Sequence, residues 1–188
     1  MPHSRPMATL KPALLEELEA LLGGRVDTGE TAREAYARDL STLGHLAFAS
    51  GERPESSWSP PDAVVRPRDV EEVQAIARAC SEHAVPLIPW GAGSGVCGGT
   101  LAVRGGVMLD LKGLDRVVEI DRRSLLLDVE AGVNLQRLED QLARHGLTLA
   151  HHPSSITCAT VGGAVAALGA VDLLCLGPLT NVAAVLAS

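Results

Sequence analysis

The densest chemical signal in the sequence is the run Pro89-Trp90-Gly91-Ala92-Gly93-Ser94-Gly95-Val96-Cys97-Gly98-Gly99-Thr100. Glycine at 91, 93, 95, 98 and 99 lets the backbone enter φ > 0 and approach a ligand closely, so that successive N–H groups can converge on an anion. A phosphate or pyrophosphate is the guest such a loop suits. Ordering so many glycines costs entropy that a plain turn between strands does not require. Valine at Gly93 or Gly95 is expected to close the site, by obstruction and by loss of φ > 0.

Two common nucleotide motifs fit the letters and fail on context. Gly93, Gly95 and Gly98 satisfy G-x-G-x-x-G, with Asp115 downstream, but a dinucleotide unit needs a helix to open at the loop. Thr100 to Gly105 instead leads straight into an apolar strand. Gly99 also stands where a P-loop places its lysine. A second loop, His151-His152-Pro153-Ser154-Ser155-Ile156-Thr157-Cys158-Ala159-Thr160-Val161-Gly162-Gly163, sets hydroxyls and a glycine pair before an apolar run, and exposed N–H groups at a helix start there suit a further anion or a flavin ring.

The elements that must carry these loops follow from periodicity. Apolar residues between Leu10 and Leu22 have helical spacing, with Gly23-Gly24 as the stop. Thr28 to Arg38 predicts a short helix, and Ser41 to Pro61 a loop. Ala63 to Val65 is an expected strand. A helix follows Asp69, with Val70, Val73, Ile76, Ala77 and Cys80 on its apolar face. Val85 to Pro89 and Gly106 to Leu111 are further strands, making a β-α-β unit whose glycine loop returns directly to a strand. Val117 to Ile120 and Leu125 to Val129 form a hairpin, and Leu135 to His145 a helix striped by Leu135, Leu138 and Leu142, with Gly146 at its end. The fold class is α/β (α+β).

Composition removes several functions. The 188 residues carry a formal net charge of −7, and Tyr36, Phe48, Trp58 and Trp90 are the only aromatic residues, which excludes a nucleic-acid surface. Cys80, Cys97, Cys158 and Cys175 lack metal-ligand spacing and are expected to be small buried thiols, so no metal is assigned. Lys11, Glu16, Glu17 and Glu19 break the apolar run a signal peptide needs, giving a cytoplasmic expectation. Beyond Arg144 the only charged side chain is Asp172, yet Asp172, Gly177-Pro178 and Asn181 argue for a buried strand and helix there rather than a membrane span.

The ordered motifs P-x-G-A-G-S-G-x-x-G-G, VMLDL, VEAGV and PSS-x-x-x-ATVGG, from about Tyr36 to Gly163, resemble the FAD-linked oxidases with a p-cresol methylhydroxylase type FAD domain, a family that includes glycolate oxidase FAD subunits, D-lactate dehydrogenases and alkyldihydroxyacetonephosphate synthases. The resemblance implies a flavin-dependent oxidoreductase acting on a 2-hydroxy acid or similar small molecule. It implies that Pro89, Trp90, Gly91, Ala92, Gly93, Ser94, Gly95, Gly98 and Gly99 cradle the FAD pyrophosphate. Pro153, Ser154 and Ser155 would line the flavin side, and Thr160, Gly162 and Gly163 would complete the contacts. Relatives that tether flavin use a histidine in the first loop; none lies between Pro89 and Thr100, so non-covalent FAD is expected, with His151 and His152 the alternative tethers.

The tail AVAALGAVDLLCLGPLTNVAAVLAS departs from that family. Its VDLLCLGPLTNVAAVLA resembles the strand-loop-helix of inosine-uridine type nucleoside hydrolases, where Thr180 would offer a carbonyl to Ca²⁺, but the aspartate cluster that family needs has no counterpart here. The expected organisation is helices and a loop over 1–60, the first part of a two-subdomain FAD domain over 61–163, and an apolar tail of foreign or frameshifted origin over 164–188. Such a chain would bind FAD, or another phosphorylated ligand, without turning over substrate, and would self-associate through exposed apolar surface.

Overall fold

Leu14, Leu18 and Leu22 recur at helical spacing, and all three are buried by helix α1 (Pro12–Leu22), which Pro12 opens and Gly23, at φ +60°, closes. The computed structural model describes residues 10–42, 60–168 and 181–185, and the chain divides into two units, Met1–Asp110 and Leu111–Ser188.

In the first unit, α1 is followed by β1 (Val26–Asp27), α2 (Glu30–Ala35), β2 (Ala63–Val65), α3 (Val70–Glu82), β3 (Leu87–Trp90) and β4 (Val107–Asp110). Asp69 caps α3 by accepting from the Glu72 N–H at 2.8 Å. The helix buries Ile76, Ala79 and Cys80. Ala77, expected on that face, is exposed, because Ile76, Ala79 and Cys80 already form one i, i+3, i+4 stripe and Ala77 lies about 100° around from Ile76. Burial pushes the Cys80 thiol up to about 11, with Glu17 adding to the rise, so it is inert. Cys97 and Cys158 are exposed, correcting the expectation of buried thiols at those positions; Cys175 lies outside the described residues.

The sheet order is β1-β2-β4-β3, with β2, β4 and β3 parallel and β1 antiparallel to β2. The strands of the β-α-β unit are therefore not neighbours: β4 lies between them. Residue chemistry accounts for this. Val-Met-Leu-Asp of β4 is buried throughout, as a central parallel strand must be, whereas β3 contains Pro89, whose missing N–H is harmless only at an edge.

Arg25, just beyond α1, grips Glu72 of α3 with two hydrogen bonds, Nη1 to Oε2 at 2.5 Å and Nη2 to Oε1 at 2.6 Å. The Arg25 bond, against some burial cost and helped by the Arg68 N–H, holds the Glu72 carboxyl below its ordinary range. A depressed folded-state pKa means that this stabilisation is present above the unfolded value near ~4.3 and is lost as pH falls through the folded value. Glu72→Gln should therefore cost about 1–2 kcal/mol at pH 7. Denaturant titrations at pH 7 and pH 3 should show the difference from the parent shrinking in acid; a constant difference would contradict it.

The second unit contains β5 (Val117–Asp121), β6 (Leu126–Glu130), α4 (Leu135–Ala143), α5 (Val161–Leu168) and β7 (Asn181–Val185). Asp121 shapes the β5–β6 turn by accepting from the Arg123 and Ser124 N–H groups. Asn134 caps α4 through the Arg137 N–H at 3.0 Å, and Gly146 beyond the helix has φ +71°. Leu135, Leu138 and Leu142 pack with Leu127, Val129, Val133, Ala159 and Val161. Asn181–Val185, expected as helix, is a strand antiparallel to β6. Valines at 182 and 185 suit a strand, and β6 has a second edge to satisfy.

Candidate cofactor site

Residues 91–106 form the crossover from the end of β3 to the start of β4, so the glycine loop leaves the carboxyl edge of a parallel sheet, where α/β folds place ligands. Asp62 closes its base: its carboxylate accepts from the Gly106 N–H at 2.6 Å while its own N–H donates to the Gly106 carbonyl at 2.7 Å. Burial pushes the Asp62 carboxyl up, against that hydrogen bond and the nearby Arg33. Sequence reading missed Asp62, which sits in no glycine motif.

Gly93 and Gly98 hold φ of +64° and +75°. A Cβ on Gly93 would lie 2.4 Å from Trp90 Cζ2. Trp90 is buried, meets Tyr36 edge-on at 5.0 Å between ring centroids, and forms the floor beneath Gly93. The Tyr36 hydroxyl donates to Asp110 Oδ2 at 2.7 Å, and burial, then this bond, pushes its pKa up. Gly95 corrects an expectation: its φ is not positive, and a Cβ there would meet only Asp39 Oδ2, at 4.0 Å.

Among the described residues no backbone N–H from Gly91 to Thr100 donates an internal hydrogen bond, although the Gly95 carbonyl accepts from Leu40 N–H at 3.0 Å. Such a row of uncommitted donors, with two left-handed glycines and open space above Gly99, fits a diphosphate. Thr100 Oγ1 is buried there without a partner.

The second loop differs. The Leu135 and Gln136 N–H groups donate to the Ala159 and Ile156 carbonyls, and Asn134 Nδ2 donates to the Thr157 carbonyl, fixing 153–160 over the start of α4. The donors expected to be free at the start of α5 are committed: Val161 N–H to Val133 O, Gly162 N–H to Ala131 O, Gly163 N–H to Thr160 Oγ1 and Ala164 N–H to Thr160 O. Gly162 is required by packing, since its Cβ would lie 2.8 Å from Ala131 Cβ. What remains for a ligand is Pro153, Ser154 and Ser155, where neither serine hydroxyl has a partner among the described residues. Exposed His152 lies 3.5 Å from Glu139, which also accepts from Leu149 N–H at 2.9 Å. No metal-ligating cluster and no helix long and apolar enough to cross a membrane occurs among the described residues.

The fold is that of a FAD-binding domain of the p-cresol methylhydroxylase type. Residues 61–171 match the FAD binding domain family, and the chain belongs to it; FAD is the cofactor of such domains. The chain is 37% identical over 125 residues to the glycolate oxidase subunit GlcD of Bacillus subtilis (strain 168), across 66% of this chain and 26% of that protein. It is 36% identical over 122 residues to a probable mitochondrial D-lactate dehydrogenase of Danio rerio, across 65% and 22%. The crystal structure of p-cresol methylhydroxylase with substrate bound superimposes with a TM-score of 0.65 at 24% identity, over 81% of this chain and 29% of that one. The chain thus spans about a quarter of the length of these curated relatives.

Proposed function

We propose that the chain is the FAD-binding part of a flavin-dependent oxidoreductase whose substrate is a 2-hydroxy acid. The uncommitted N–H groups from Gly91 to Thr100 carry the FAD assignment: they hold the pyrophosphate. The substrate class rests on the glycolate and D-lactate enzymes to which the chain is similar. FAD, when bound, supplies the hydride acceptor; the protein's share is binding, orientation and exclusion of water.

FAD is held non-covalently, because the first loop offers no histidine. Purified chain mixed with FAD should retain flavin absorbance through gel filtration, and acid precipitation should release all of it to the supernatant. Flavin remaining in the pellet would show a tether, with His151 and His152 the first residues to replace. A colourless protein would reject the FAD site itself. Incubated anaerobically with glycolate or D-lactate, the FAD-loaded chain, which spans about a quarter of those relatives' length, should leave the flavin oxidised; bleaching by simple alcohols as readily as by either acid would remove the 2-hydroxy acid from the assignment.

A further inference from the structure

Asp39, between α2 and the glycine loop, belongs to no glycine motif. It is 2% exposed; its Oδ1 accepts from the Ser41 N–H at 2.9 Å, and its Oδ2 is buried with no partner. Leaving a buried acceptor unsatisfied is costly, and carboxylates bear that cost least well. The atom faces the glycine loop: Oδ2 is the nearest group to the open side of Gly95, and the adjacent Leu40 N–H to Gly95 O bond of 3.0 Å pins the two segments together.

A carboxylate beside a nest of N–H groups is an odd companion for a bare anion, which it would repel. It suits a guest that presents a hydroxyl donor within a few bonds of its diphosphate. Resting on the reading that the glycine loop holds FAD pyrophosphate, we propose that Asp39 Oδ2 accepts a hydrogen bond from a cofactor sugar hydroxyl flanking the diphosphate, and so selects a sugar-bearing diphosphate over inorganic pyrophosphate. FAD offers such hydroxyls on both sides, in its ribityl chain and in its adenosine ribose.

The test compares binding of FAD, FMN, ADP and inorganic pyrophosphate to the 188-residue chain and to Asp39→Asn and Asp39→Ala variants by calorimetry. Asp39→Asn keeps the acceptor for Ser41 and the side-chain shape, so it remains informative should the alanine variant fail to fold. Charge-assisted hydrogen bonds are about twice as strong as neutral ones. FAD affinity should therefore fall roughly 10-fold in Asp39→Asn and roughly 100-fold in Asp39→Ala, with pyrophosphate unchanged or tighter in both. A parallel loss with FMN alone assigns the ribityl hydroxyls, and with ADP alone the ribose. Equal losses for all four ligands, pyrophosphate included, would show that Asp39 only shapes the loop and would overturn the proposal, as would unchanged FAD affinity. If the parent chain binds none of the four, the FAD reading of the loop fails with it, an outcome visible before any variant is made.

Discussion

Gly93→Ala should abolish FAD binding, lowering affinity more than 100-fold, and should also destabilise the first unit by about 2–4 kcal/mol. Two costs combine. Gly93 sits at φ +64°, where a side chain costs about 1–2 kcal/mol, and its Cβ would come within 2.4 Å of Trp90 Cζ2 and 2.7 Å of Cη2. Trp90 is only 5% exposed and braced by Tyr36, whose hydroxyl is fixed on Asp110, so the ring has nowhere inexpensive to go. The loop must lift, and its N–H groups then no longer converge. Gly95→Ala is the control for stability. With ordinary φ and only Asp39 Oδ2 at 4.0 Å, it should change unfolding free energy by no more than ~0.5 kcal/mol. Flavin fluorescence titration and thermal melting of both variants give the answer. A Gly93→Ala chain that binds FAD like the parent would remove the loop from the cofactor site.

Gly132→Ala should be more damaging to stability, at roughly 3 kcal/mol or more. A Cβ there would lie 2.2 Å from the Leu111 carbonyl oxygen, 2.7 Å from that of Leu114 and 2.9 Å from Lys112 Cα. All three are main-chain atoms, so no rotamer change can relieve the clash, and retreat would break the Gly132 N–H to Leu114 O bond of 2.8 Å. Damage should concentrate in Leu111–Ser188, where Gly132 joins β6 to α4. Denaturant unfolding measures the loss, and amide exchange locates it; a cost below ~1 kcal/mol would mean that the 111–114 turn is more pliant than its packing indicates.

Legibility in the sequence tracks how local the determining physics is. The stripe Leu135, Leu138, Leu142 with Gly146 behind it yielded its helix because spacing and cap are local facts. The glycine loop stood out through composition alone. Strand order did not: nothing in the periodicity of Val107–Asp110 says that it inserts between β2 and β3, which depends on long-range pairing. Gly93 and Gly95 look alike in sequence, and only the Trp90 ring beneath one of them tells them apart. Asp39 and Asp62 were invisible for the same reason, since each acts on a glycine more than forty residues away. Gly162 shows the converse: a glycine assigned to cofactor contact in the sequence has a packing duty against Ala131 that only the fold reveals.

Among the described residues, the edge strand β3 has a single neighbour, β4, and its last residue is the tryptophan on which Gly93 rests. Fraying of that edge would withdraw the floor from the loop, so strand closure and the shape of the cradle are one equilibrium read at two ends. A ligand present at 100 times its dissociation constant adds about 2.7 kcal/mol to whichever state binds it. With the cofactor held by the glycine loop as proposed, its supply would act as a thermodynamic clasp on that edge of the sheet, and scarcity of flavin would loosen Leu87–Trp90.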